Sequence, residues 1–381
     1  FEVSWEPLSE EAKRLAGLLG LFAAAPVKWD WVEQAWALAG GEQAEAEMDE
    51  DALADGQAAL LKVNLLAKAK EKEETGERRY GVHPLVREFF AVKLAGLAAA
   101  VALQQGFARA MTEVAKTIPQ AVTVTVRAQV TDAVPHMEEV AQRWTAGLAE
   151  DDKTWCCIGL GRFYESLSQW SDAERYRLRA LEISQAELGE RHPYTASSLN
   201  NLAALYESQG RYGQAEPLLV QALEIRKAEL GERHPYTASS LNNLAALYRA
   251  QGRYGEAEPL YVQALEIWKA ELGDRHPYTA SSLNNLAALY ESQGRYGEAE
   301  PLYVQALEIC QAELGDRHPY TASSLNNLAV LYANTNRFSQ AAETMSQALS
   351  IRESQLGPEH PDTLSSKRSL QAIQQALEQA T

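Results

Sequence analysis

The stretch from His192 to Arg233 reads HPYTASSLNNLAALYESQGRYGQAEPLLVQALEIRKAELGER, and it recurs. It starts again at His234, His276 and His318, and its opening residues return at His360, always after 42 residues. The first two copies agree at 36 of 42 positions. A fixed period of this length means supersecondary units that stack, because one such unit cannot bury its apolar face alone. This feature settles the architecture of the second half of the chain and makes the first half something joined to a stack.

Each copy reads as two helices. His192 precedes Pro193, which suits a first helical turn because its missing N–H would be unpaired there anyway. Leu199, Leu202, Ala203 and Tyr206 then share one face of helix A. Gly210 falls where a left-handed C-terminal cap is needed. Helix B turns Ala215, Leu218, Leu219, Ala222 and Leu223 inward, and the small Ala203, Ala215 and Ala222 let the pair approach closely. Gly189 and Gly231 close the B helices of their units. Residues 151–190 hold a worn copy in which Leu160, Gly161, Tyr164, Trp170, Ala173, Ala180 and Leu181 keep the spacing. Residues 191–359 hold four full units, and 360–381 read as a polar capping helix in which the Asn pair has become Arg368-Ser369. Terminal repeats lack one neighbour and are expected to be atypical.

This order of large, small and aromatic positions resembles the tetratricopeptide repeat. The 42-residue length, the L-N-N-L-A of helix A and the E-L-G-x-x-H-P between units resemble the kinesin light chain type. The resemblance implies a mainly all-α chain and a right-handed superhelix whose inner wall is lined by A helices. The heptads that join a light chain to its motor are absent, so a motor role does not carry over.

Asn201, Asn243, Asn285 and Asn327 fall on helix A away from the Leu202/Tyr206 packing side. They are expected to form a row of amides along the wall. An amide donates and accepts, so it can pair with the backbone of an extended peptide whatever its side chains. The preceding Asn200, Asn242, Asn284 and Asn326 are weaker candidates, since such residues also brace adjacent helices. In kinesin light chains the matching Asn holds cargo peptide. Glu207, Arg249, Glu291 and Ala333 occupy one varying position near the end of helix A, and Ser208, Ala250, Ser292 and Asn334 the next. Glu207, Arg249 and Glu291 are read as tuning specificity, with drift at solvated sites as the alternative. The Lys/Arg pairs with which chaperone-binding tetratricopeptide domains grip a terminal carboxylate are missing. The five repeated histidines sit beside proline in loops too far apart to share one metal ion, so no metal site is expected.

The first 95 residues are of another kind. Ser9-Glu10-Glu11 caps a helix bearing Leu15, Leu18, Leu19 and Phe22, which Pro26 ends. Trp29–Leu38 reads as a second helix stopped by Gly40-Gly41, and Asp49–Leu66 as a third with Leu53, Leu60, Leu61 and Leu65 inward. Leu65–Glu71 and Arg78–His83 form a hairpin about Glu74-Thr75-Gly76-Glu77. Pro84 opens a helix with Leu85, Phe89 and Val92 on one face. Three helices and a hairpin predict a winged-helix domain over 1–95. A helical connector follows over 96–150, in which the Val122–Val126 alternation is read as helix by context.

The run Tyr80-Gly81-Val82-His83-Pro84-Leu85 resembles the end of the winged-helix domain of NB-ARC-type STAND NTPases, where a Met-His-Asp motif stands. His83 matches the His that touches the phosphate of bound ADP, while Val82 and Pro84 replace its neighbours. The resemblance implies an upstream NTPase domain, with ATP or ADP bound there and His83 sensing nucleotide only in its presence. The alternative for His83 is a plain cap before Pro84. The chain begins at Phe1 rather than Met, and is read as the C-terminal part of something longer. It has no phosphate loop G-x-x-x-x-G-K-[ST] and no catalytic grouping, so neither a cofactor nor an enzyme is expected within it.

A formal net charge of −17 argues against nucleic acid and anionic lipid as partners. Met48-Asp49-Glu50-Asp51 and Asp55 on the presumed third helix oppose DNA in particular. No apolar run is long enough for a membrane span. Three cysteines, two of them adjacent, suit a reducing cytoplasm better than a disulfide framework. The function expected is a sensor region that takes an extended peptide or protein surface in its groove and regulates the upstream NTPase in signal transduction or defence. The alternatives are an autoinhibitory or self-assembly scaffold, with homo-oligomerisation on activation, and a DNA-binding regulator.

Overall fold

The computed structural model describes residues 1–40, 50–69 and 77–380. The chain divides into two compact units, Phe1–Leu188 and Gly189–Thr381.

Unit 1 opens with a short helix α1 (Glu2–Trp5) and α2 (Glu10–Leu21), whose cap is the expected one: Ser9 Oγ accepts the Ala12 N–H at 3.2 Å. There follow β1 (Val27–Lys28), α3 (Trp29–Gly40), α4 (Glu50–Lys62), β2 (Ala67–Lys68), β3 (Arg79–Gly81) and α5 (Pro84–Leu94). The sheet is antiparallel in the order β1-β3-β2, with Val27 opposite Tyr80 and Ala67 opposite Gly81. The expected hairpin is therefore joined by a third strand, two residues long and too short to show an alternation. Gly41, Met48, Asp49 and residues 70–76, with most of the expected turn, lie outside the described residues.

Helix α5 differs from expectation. Val86, Phe90 and Leu94 are buried, whereas Leu85 is 58% and Val92 74% exposed. Both stripes are apolar, so periodicity alone does not choose between them. Contact with α2 decides it. There Gly20 lets the α5 backbone approach so closely that a Cβ would stand 2.9 Å from the Ala91 nitrogen and 3.0 Å from the Phe90 Cβ. Phe89 keeps part of its surface on Trp5, ring to ring at 5.6 Å.

Unit 1 continues through α6 (Ala100–Lys116), α7 (Val124–Val130) and α8 (Val134–Arg143) to the helix pair α9 (Trp155–Ser166) and α10 (Trp170–Leu188). Thr123 Oγ1 accepts the Val126 N–H at 3.2 Å, which starts α7 where an alternating pattern had left strand open. One apolar core runs from Trp5 to Ile183. Within it lies His136, which no sequence pattern singled out. Its Nδ1 accepts the Ala23 N–H at 3.0 Å, its Nε2 stands 3.4 Å from the Pro26 carbonyl oxygen, and its ring lies against Phe22 and Trp31. Burial holds its pKa down at about 4.

Unit 2 is an α-solenoid of four helix pairs: α11 (Pro193–Ser208) with α12 (Tyr212–Leu230), α13 (Pro235–Ala250) with α14 (Tyr254–Leu272), α15 (Pro277–Ser292) with α16 (Tyr296–Leu314), and α17 (Pro319–Asn334) with α18 (Phe338–Leu356). A final α19 (Pro361–Ala380) packs on α18 and buries little more than Thr363, Ser366 and Ile373. Each A helix starts on a histidine: Nδ1 of His192, His234, His276 and His318 accepts the N–H two residues on, at 3.1–3.2 Å. That contact, with Pro at the first helical position, explains the repeated His-Pro without a ligand. Gly210, Gly252 and Gly294 adopt φ of 71–73° between the helices of a pair, and Asn336 takes that place in the fourth.

Successive units are stapled through one arginine each. Arg253 stacks 4.0 Å from the centre of the Tyr248 ring. It also donates to Glu216 of the preceding pair at 2.7 Å and to Glu256 at 2.8 Å. Arg295 repeats this with Glu258 and Glu298, and Arg337 reaches Glu300. These bonds raise the arginine pKa above its ordinary value.

Candidate peptide-binding wall

Hydrogen bonds between A helices of neighbouring units show that these helices lie side by side. Asn285 Nδ2 donates to Asn242 Oδ1 at 2.8 Å, Asn284 Nδ2 to Ser324 Oγ at 2.9 Å, and Ser366 Oγ to Asn326 Oδ1 at 3.2 Å. The fates of the eight asparagines therefore differ. Asn242, Asn284, Asn285 and Asn326 brace adjacent helices. Asn201, Asn243 and Asn327 are half-buried and make no side-chain hydrogen bond among the described residues. Asn200 is buried to 8% exposure, with neither amide atom bonded.

The varying positions meet at the far end of the same helices. Glu207, Arg249 and Glu291 are all half-buried. Burial raises the pKa of Glu207, and the Arg249 charge opposes that rise. Glu291 accepts the Tyr303 hydroxyl at 2.8 Å on Oε2 and the Asn334 amide at 2.8 Å on Oε1. The Arg249 side chain has no hydrogen bond or ion pair among the described residues. Tyr261 and Tyr303 reach this cluster from helix B and were not foreseen. Burial pushes the Tyr261 hydroxyl up to about 12, and burial with Glu291 pushes that of Tyr303 higher. The signal was in the sequence, since this position reads Leu219, Tyr261, Tyr303 and Met345 in copies otherwise almost alike.

Chemically the wall offers amides, one unpaired guanidinium and oriented carboxylates, a set suited to holding a chain of peptide groups. Among the described residues no cluster of His, Cys, Asp or Glu has the form of a metal site. Cys156, Cys157 and Cys310 are buried, and burial raises each thiol pKa, that of Cys156 to about 12. In unit 1, His83 is exposed and its Nδ1 accepts the Leu85 N–H at 3.3 Å, which caps α5.

The family model for the tetratricopeptide repeat matches residues 150–228, 200–270, 236–312 and 278–354, more than half of the chain. The chain belongs to the tetratricopeptide repeat family. A protein-interaction role follows from that membership. Solved structures that it resembles include the nearly identical kinesin light chain TPR-like repeats of Podosopora anserina, at 28% identity over 54% of this chain and 98% of that one, TM-score 0.45. Another is the STAND protein with a tetratricopeptide repeat sensor, PH0952 from Pyrococcus horikoshii, at 18% identity over 98% of this chain and 53% of that one, TM-score 0.45. A third is NprR in complex with its cognate peptide NprX, at 14% identity over 76% of each chain, TM-score 0.48. No curated protein matches the chain. Among the described residues no helix is long and apolar enough to cross a membrane.

Proposed function

We propose that unit 2 binds an extended peptide segment along its A-helix wall and that the chain is the sensor part of a longer signalling protein. The observation that carries this is the set of half-buried wall amides without an internal partner, Asn201, Asn243 and Asn327. A polar side chain that braces nothing, repeated on one face, is placed to bond something that arrives. Glu207, Arg249 and Glu291 supply the charges that would select among arrivals. In unit 1 the order helix, strand, helix, helix, hairpin supports the winged-helix reading, and the capped His83 keeps Nε2 free to meet a nucleotide on an upstream NTPase domain.

The test separates binding amides from bracing ones. Asn243→Ala removes no internal bond, so it should weaken capture of a selected peptide about three- to tenfold, the worth of one or two hydrogen bonds, and leave the melting temperature unchanged. Asn285→Ala also breaks the Asn242 contact and should cost about 1 kcal/mol of stability. Unchanged affinity in Asn243→Ala would sink the amide-row reading.

A further inference from the structure

One buried position varies between copies where drift is least expected. It lies on helix B and reads Arg226, Trp268, Cys310 and Arg352 in the four units, all buried. Its side chain passes between the A helices of its own unit and the next. Arg226, on α12, donates through Nη2 to Ser197 Oγ on α11 at 3.1 Å, and through Nη1 to Ser240 Oγ and the Tyr236 carbonyl of α13 at 3.0 and 2.9 Å. Arg352, on α18, donates through Nη1 to Asn326 Oδ1 of α17 at 3.2 Å, and to Ser366 Oγ and the Asp362 carbonyl of α19 at 2.6 and 3.1 Å. Each guanidinium thus ends between the A helices of adjacent repeats, the helices that carry the wall asparagines.

These are buried cations held only by neutral atoms. Arg226 is 7% and Arg352 8% exposed, and neither forms a salt bridge among the described residues. Burial lowers the pKa of Arg226 to about 10, with no carboxylate acting against it, while Arg352 feels Asp362 nearby. A buried charge without a counter-charge is costly, and an anion that reaches it binds strongly. Both guanidinium groups keep donors for one. Nε of each and Nη2 of Arg352 are unbonded, yet they are not among the atoms sealed from solvent. At the Arg226 seam there is a second sign of an absent partner: Asn200, one turn along α11 from Ser197, has both amide atoms buried and unbonded. In the fourth unit the equivalent Asn326 is bonded to Arg352.

We propose that the wall selects an extended acidic peptide, whose Asp or Glu side chains pair with the seam guanidinium groups of Arg226 and Arg352. The inference rests on the wall reading above and adds the chemistry of the ligand. The two seams are three A-helix steps apart, about 24–30 Å at ordinary helix spacing. An extended chain covers that distance in roughly 7–9 residues, which sets the separation of the two carboxylates. The Arg226 end should dominate, because Asp362 partly offsets Arg352.

A phage-displayed library of random hexadecapeptides, selected on the full chain, tests this. Enriched peptides should carry two acidic positions about eight residues apart. Changing the acid that meets Arg226 to its amide in a synthetic peptide should weaken binding about tenfold to the wild type and less than twofold to Arg226→Trp. The Trp variant copies the residue that the next unit already accommodates there, and the peptide substitution requires no change to the protein at all. Enriched peptides without paired acids, or an acid-to-amide loss equal in the wild type and Arg226→Trp, overturn the seam assignment even when Asn243→Ala still weakens binding. A library from which the wild type enriches nothing overturns the wall reading, and the seam assignment with it.

Discussion

Unit 1 should lose stability on mild acidification through one residue, His136. Its ring is neutral in the fold, with Nδ1 accepting the Ala23 N–H and Nε2 facing the Pro26 carbonyl. Its folded pKa is about 4 against an ordinary 6.5. Between those values the unfolded chain binds a proton that the folded chain refuses, so stability is fully present above pH 6.5 and falls as pH drops toward 4. From pH 8 to pH 5 the loss is about 2 kcal/mol, and it approaches roughly 3 kcal/mol at pH 4. For a unit of this size about 2 kcal/mol means a melting temperature lower by about 4–8 °C. Tryptophan fluorescence reports the event, because all tryptophans except Trp268 lie in unit 1. His136→Gln supplies the comparison: the amide can accept from Ala23 and donate to Pro26 but does not titrate. Its melting temperature should be nearly flat from pH 8 to pH 5. Carboxylates held below their ordinary range, such as Glu77 between Lys28 and Arg79, lose their contribution only at lower pH and act equally in both proteins. An equal drop in wild type and variant would refute the reasoning.

Three further outcomes are expected. Gly252→Ala, at φ +73°, should cost about 1–2 kcal/mol in thermal melts followed by circular dichroism, while Gly252→Asn should cost clearly less, because Asn336 already holds that conformation in the fourth unit. His234→Ala removes the cap on the Tyr236 N–H and should cost about 1 kcal/mol in the same assay, whatever metal chelator is present. The three thiols should resist a soluble disulfide reagent in the native state and react only on unfolding. Rapid labelling of Cys156 under native conditions would contradict its burial and raised pKa.

The solenoid was legible because a period of 42 repeats every local signal several times: Pro at the helix start, Gly at the turn, small residues at the crossing. The face of α5 was not legible, since Leu85/Phe89/Val92 and Val86/Phe90/Leu94 are equally apolar and only the close approach at Gly20 separates them. His136 was missed because a lone histidine carries no periodicity, and its environment is built by Phe22, Ala23 and Pro26 from far along the chain.

The wall shows the same division. That asparagines line one side of helix A could be read from their offset to Leu202 and Tyr206. Which of them are spoken for depends on side-chain pairing between neighbouring A helices, which spacing within a unit does not encode. Asn285 is bonded to Asn242, while the equivalent Asn243 and Asn200 are not bonded to each other, so identical residues in nearly identical units end in different chemical states. The helix B position of Arg226 carries the argument further. A substitution at a half-buried site such as Glu207 or Arg249 still has drift as a ready explanation. A change among Arg, Trp and Cys inside a packed junction does not, because volume and charge both change where each is costly. The junctions at the two ends therefore differ in kind from those between them: Arg226 places there a positive charge with no carboxylate against it and Arg352 one that Asp362 partly offsets, whereas Trp268 and Cys310 place none.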